Sequence, residues 1–209
     1  MEARPGPPSE VTISEVRELA AVWARDLDTL AQEMYAFLTA RIPEASADPE
    51  IAGLTLASCA SNVEAVLSMI RHGIPASATE APVAALEHAR RMAARGGGID
   101  ATLRFYRLGH AFFWERWSAA LVEAVPEPDR LVVAMRETAA FVFDYIDSIS
   151  TRVGAEHVAE GERRQRRAAI VRADVVRAVL AGEEVDREAA ERALGHPLTG
   201  GQLALVCWT

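Results

Sequence analysis

The sequence predicts an all-α protein. Three observations carry that reading. Apolar residues recur at steps of three and four in successive segments of the chain, the signature of one helix face. Proline and glycine punctuate that pattern at Pro43, Gly73, Pro75, Gly96, Pro126 and Pro128, where helices end or begin. Only one short run, Gln202 to Trp208, reads as a strand.

Residues 1–12 hold four of the first dozen positions as Pro5, Gly6, Pro7 and Pro8, without apolar periodicity, and read as a disordered tail. A first helix begins near Ser14, capped by Thr12 or Ser14. Its core stripe is Val16, Leu19, Ala20, Trp23, Leu27, Leu30, Ala31, Met34 and Leu38, and it stops before Pro43. A second helix runs from about Pro49, well suited to a first helical position, to His72. Its inner face is less apolar and includes Leu54, Ser58, Cys59, Ser61, Asn62, Val66 and Met69. A third spans about Glu80 to Arg95 with Gly96 as its C-cap.

The fourth segment, Ile99 to Val125, holds six of the thirteen aromatic residues between Phe105 and Trp117. Leu103, Tyr106, His110, Phe113, Trp117 and Leu121 form one face, while Phe105, Leu108, Phe112 and Trp114 fall on others. A helix apolar nearly all round has to be covered on several sides. Asp100 is the expected N-cap. The fifth helix starts after Pro128 and shows two stripes, Leu131-Met135-Thr138-Val142-Tyr145-Ile149 and Val132-Ala139-Phe143-Ile146-Val153. One core uses one stripe, so the second is expected to meet another chain. From Gly154 to Ala169 the pattern fades into a solvated connecting helix, with Gly154 and Gly161 as a candidate hinge. Ile170 to Gly182 is amphipathic again, and Asp186 to Leu194 forms a short helix before the terminal strand.

Half of the 209 residues are apolar, enough for one ordinary core plus an extension. The formal net charge is −8, unsuited to holding nucleic acid. All 22 basic residues are arginine, a codon-composition effect rather than chemistry. Cys59 and Cys207 belong to no CxxC or Cys/His cluster, which gives no disulfide frame and no zinc site. No uninterrupted apolar run has membrane-spanning length and no leader pattern opens the chain, so a soluble cytoplasmic protein is expected.

The runs Ala85-Leu86-Glu87-His88-Ala89-Arg90, Ala94-Arg95-Gly96, Leu103-Arg104-Phe105-Tyr106-Arg107-Leu108-Gly109-His110 and Trp114 to Trp117 resemble the N-terminal domain of PucR/CdaR-type transcriptional regulators. That domain is related to the N-terminal domain of RsbR-type stressosome co-antagonists. The resemblance implies a globin-like helical bundle, usually a homodimer, acting as a sensor of an unknown small-molecule or protein effector. Leu180-Ala181-Gly182-Glu183 and Leu194-Gly195-His196-Pro197-Leu198 match the opening of the GGDEF-like domain of those regulators, with His196 in place of the usual tyrosine and Gln202 where histidine is common. The implied organisation is a tail over 1–12, a helical sensor and dimerisation domain over 13–157, connecting helices over 158–182, and the start of a GGDEF-like domain over 183–209. A stressosome-type protein-interaction scaffold is the alternative.

Ser58, Ser61 and Asn62, with Tyr106, Arg107 and His110, form a candidate effector pocket; small polar residues equally let helices approach closely. Arg107 suits an anionic ligand through its forked donors, or an internal pair with Glu64 or Glu115. The interface candidates are Phe112, Trp114, Ala139, Phe143 and Ile146. His110 on the aromatic helix invites a haem reading, and hence a gas sensor, but the resembling RsbR-type domains are globin-like without haem, so no cofactor is expected. No histidine follows a glutamate by three positions, which excludes the usual di-iron arrangement. Glu156, His157 and Glu160 read better as a charged face than as a metal site. Arg163, Arg164, Arg166, Arg167 and Arg172 read as a solvated helix face with internal ion pairs. No GxSxG, Walker loop, GxGxxG or HExxH is present, so no catalytic residue is assigned. With a net negative charge and no base-reading element, the 209-residue chain is expected to give no sequence-specific footprint on DNA at physiological salt, as measured by nuclease protection; a specific footprint would overturn this reading.

Overall fold

The computed structural model describes residues 14–199, and among them every regular element is helical. The order is α1 (Ser14–Trp23), α2 (Leu27–Thr39), α3 (Pro49–His72), α4 (Val83–Ala94), α5 (Ile99–Ala124), α6 (Pro128–Ala181) and α7 (Arg187–Leu194), with short 3₁₀ turns between several of them. The strand expected at Gln202 to Trp208 and the tail over 1–12 lie outside the described residues. By internal contacts the chain divides into two compact units, 1–160 and 161–209.

The expected first helix is two helices. A 3₁₀ turn at Ala24–Asp26 separates them, and Asp26 leaves the helical region at φ −118°, ψ 33°. Aspartate competes with helix by local hydrogen bonding, so it is a natural place for the break. The break re-aims the stripe: α1 buries Val16 and Ala20, and α2 buries Ala31, Met34 and Leu38.

The α3 boundaries agree with the residue types. Asp48 accepts from the backbone N–H groups of Glu50 and Ile51 at 3.0 and 3.1 Å, and Pro49 takes the first helical position. Gly73 closes the helix at φ 63°, with Ile74 N–H bonded to the Met69 carbonyl at 2.9 Å. α3 is long and apolar enough to cross a membrane by length and composition, with a mean hydropathy of 1.3. Its apolar side is instead spent on the bundle, because it packs against α1, α2 and α4.

Gly98, not Asp100, occupies the cap position of α5, and it offers no side-chain bond. Asp100 falls inside the first turn, where its charge still faces the positive end of the helix dipole. α5 supplies the centre of the core: Trp117 and Leu121 have no exposed surface. Trp117 stacks on Phe113 at 5.5 Å and meets the edge of Trp23 from α1 at 5.1 Å.

α6 runs unbroken from Pro128 to Ala181, so the segment expected as a connecting helix continues the fifth helix through both Gly154 and Gly161. Glycine lowers helix stability without forbidding the conformation, and the flanking residues are good helix formers. α6 lies antiparallel to α5. Phe143 meets His110, Gly154 approaches Leu103, and His157 meets Thr102, so numbers rise on one helix as they fall on the other. Gly154 has a packing role beside Leu103, whose Cδ2 would stand 3.7 Å from an added Cβ. At Gly161 an added Cβ meets nothing within 4 Å. Gly161→Ala is therefore expected to stabilise the helix by about 1 kcal/mol. Thermal denaturation followed by circular dichroism checks this; a lower midpoint would show that the glycine is needed.

Candidate functional site

Helices α2, α3, α5 and α6 line a partly open cavity of about 50 Å³. Met34, Leu38, Val63, Val66, Phe113 and Val142 supply much of its apolar wall. Ser58, Cys59, Asn62, Tyr106, His110 and Tyr145 supply the polar groups. Four of the six pocket candidates thus meet at one place, since Ser58, Asn62, Tyr106 and His110 line it while Ser61 and Arg107 do not.

The polar groups are joined to one another. Tyr145 Oη donates to Asn62 Oδ1 at 3.0 Å, and Asn62 Nδ2 donates to the Ser58 carbonyl at 2.8 Å. Ser58 Oγ lies 3.4 Å from Tyr106 Oη, which donates to the Ala85 carbonyl at 3.4 Å. This line ties α3 to α4, α5 and α6. Burial pushes the Cys59 thiol up to about 12 and raises both tyrosines. Burial also lowers His110 from its ordinary value. The lining is uncharged at neutral pH.

Arg107 lies elsewhere. One residue beyond Tyr106 turns the side chain by about 100° around the helix. Arg107 is exposed, and it lines a groove of about 400 Å³ on the outer face with Leu103, His110, Phe143, Ile146, Asp147 and Ser150. Among the described residues it pairs with neither Glu64 nor Glu115. Tyr145 was assigned to the core stripe of the fifth helix, and the sequence carries no sign that its hydroxyl reaches Asn62 across 83 positions.

His110 and Ile146 line both the cavity and the groove. The His110 ring lies 4.8 Å from that of Phe143, and its Nδ1 is buried without a hydrogen-bond partner. The inner cavity is too small for a haem, since sites for ligands of cofactor size run to ~300 Å³ or more, several times its volume.

The interface candidates separate into three groups, buried, half-buried and exposed. Phe112 is buried inside its own chain, with its ring 5.2 Å from Phe37, so it offers nothing to a partner. Trp114 and Ile146 are half-buried against the core, and Ala139 is half-buried. Phe143 is 58% exposed, and Val132 on the same helix and Val122 on α5 are exposed too. Of the second stripe, Val153 belongs to the core.

The charged segment near Glu156 is occupied by protein contacts. Glu156 bonds Arg90 at 2.8 Å, and His157 Nδ1 lies 3.1 Å from Thr102 Oγ1. Arg166 pairs with Glu162 one turn away at 3.3 Å. Among the described residues no cluster of three metal-binding side chains occurs.

A family model, the RsbT co-antagonist protein RsbRD N-terminal domain, matches residues 28–172 of the chain. No curated protein and no solved structure gives a significant match.

A second histidine marks the α3–α4 contact. His88 is 1% exposed and packs on Phe105 at 4.7 Å. Thr55 donates its one hydroxyl proton to the Ala45 carbonyl at 2.6 Å, so His88 Nε2, 3.2 Å away, is the donor to Thr55. Burial holds His88 neutral by lowering its pKa from 6.5 to about 4. Unfolded chains take up this proton below the ordinary value and the folded chain does not, so stability falls as pH drops from 6.5 to 4. The contribution lost is about 3 kcal/mol. Denaturant titrations across that range should show a smaller acid-side loss for His88→Leu than for the wild type; equal losses would contradict the assignment.

Proposed function

This chain belongs to the family of RsbRD N-terminal domains, and from that premise we propose that it is a regulatory sensor and dimerisation module of a cytoplasmic transcriptional regulator of the PucR/CdaR type. The reading includes a globin-like arrangement of the bundle and a signal passed along α6 toward C-terminal parts. In the regulators it resembles, those parts hold the DNA-binding helices. It gives the domain no catalytic role and no direct contact with DNA.

The observation that carries the proposal is the outer face of α5 and α6. Phe143 stands exposed beside half-buried Ile146 and His110, Val132 and Val122 are exposed further along the same two helices, and Arg107 and Asp147 line the groove without an ion pair between them among the described residues. A two-fold interface requires a surface that complements itself. This one offers apolar side chains together with both signs of charge, so Arg107 of one protomer can meet Asp147 of its partner. A shift between two arrangements of that pair, biased by an effector that favours one, would be the signal.

A stressosome-type scaffold is the second reading, favoured by the matched family's description as a co-antagonist. The coding sequence following Thr209 separates the two. A GGDEF-like domain with a helix-turn-helix supports the regulator, and a sulfate-transporter/anti-sigma-antagonist domain supports the scaffold.

Dimerisation is tested by light scattering on the purified chain. The wild type should show twice the 22.6 kDa chain mass, and Phe143→Glu should shift it to a folded species of single mass. A wild-type monomer at micromolar concentration would defeat the proposal.

A further inference from the structure

The geometry points to a ligand class: we propose that the cavity between α2, α3, α5 and α6 binds a small uncharged molecule with one hydrogen-bonding end and about three or four non-hydrogen atoms, short-chain alcohols being the reference chemistry, and that His110 is its door. The proposal deepens the effector-site part of the reading above. Dimer formation is a separate observable, so the two fail separately.

Size sets the first limit. A water needs ~10–15 Å³ of such space, and about 50 Å³ is present. Charge sets the second. The lining thiol and phenols are protonated and the imidazole is neutral, so nothing inside would compensate a buried ion. The ligand's body meets Met34, Leu38, Val63, Val66 and Phe113, which favours carbon. Its polar end has two places to bond. Tyr145 Oη spends its one proton on Asn62 and accepts nothing among the described residues, and His110 Nδ1 is buried without a partner.

Access follows from the shared wall. His110 and Ile146 separate the cavity from the outer groove, and Phe143 rests on the imidazole from the solvent side. An outward turn of these two rings opens the cavity without disturbing Trp117 or the polar line. Position 109 enlarges the space by having no side chain. A Cβ there would stand 3.8 Å from Met34 Sδ and 4.0 Å from Leu38 Cδ1, ordinary van der Waals contacts for that first side-chain atom.

The test titrates propanol, and separately xenon, into the isotope-labelled full chain and follows amide resonances. Propanol should give saturating shifts at the Gly109 backbone amide and the Asn62 side-chain amide. Gly109→Leu should abolish saturation. His110→Phe keeps the ring and removes the nitrogen, and should weaken propanol about tenfold while leaving xenon unchanged. A linear, non-saturating drift with propanol overturns the proposal, since it reports bulk solvent. Xenon saturation without propanol saturation also overturns it, by showing a dry void. Propanol saturation that persists unchanged in Gly109→Leu places binding elsewhere and overturns it as well; undiminished affinity in His110→Phe removes His110 from the site.

Discussion

The packing of α5 is the constraint on which the rest of the bundle depends. An indole with no exposed surface, Trp117, sits where α5 meets α1, stacked on Phe113 and edged by Trp23. Burying rings of this size is among the largest single contributions a core can contain, and edge-on geometry adds about 0.5–1.5 kcal/mol for each pair. α5 then carries Phe105 toward α4 and Phe112 toward α2 on its remaining faces. Neighbours must gather around it on nearly every side. The side left uncovered is the one it shares with α6, where Phe143 stands out into solvent.

The polar line from Tyr145 through Asn62 and Ser58 to Tyr106 serves a different end from the aromatic core. Apolar packing tolerates small slides between helices, but a buried hydroxyl or amide that loses its partner costs about 1–3 kcal/mol. Bonds from α6 to α3 and from α3 to α5 therefore set the register of three helices at once. They also keep the centre from closing completely, because the atoms that bond one another cannot also fill the space between Met34 and Phe113. A small void beside a satisfied polar line is the result, and it is held open by the groups that fix the fold.

Much of this was legible in the sequence and some was not. The helical class, the boundaries of α3, the closing glycines and the aromatic role of α5 follow from caps, breakers and spacing, which act locally. Asn62, Tyr106 and His110 were recognisable as neighbours because they lie on inward faces of two long helices. Arg107 was misplaced by one residue's rotation, and Phe112 was assigned outward because periodicity cannot tell which of several apolar faces finds a partner within the chain. The break at Asp26 and the continuity of α6 through Gly154 reflect small local preferences. Each weighs about 1 kcal/mol and is decided by packing. Tyr145's bond to Asn62 joins residues far apart in the chain, and no local pattern encodes such a pairing.

The arrangement on α6 connects these parts physically. One face of the helix carries Tyr145, bonded inward to Asn62, and two residues earlier Phe143 points outward against His110. Side chains at that spacing lie on roughly opposite sides of a helix, so the same turn of α6 contacts both the cavity and the exposed face. Any change in the cavity that displaces His110 must also displace Phe143, because the rings are in contact. Further along, Glu156 and His157 bind the helix to Arg90 and Thr102 before it continues past Gly161. A rotation begun at Phe143 would therefore meet resistance at these two bonds. In the reading proposed above, movement along α6 has to strain both contacts, so Arg90–Glu156 and Thr102–His157 resist it.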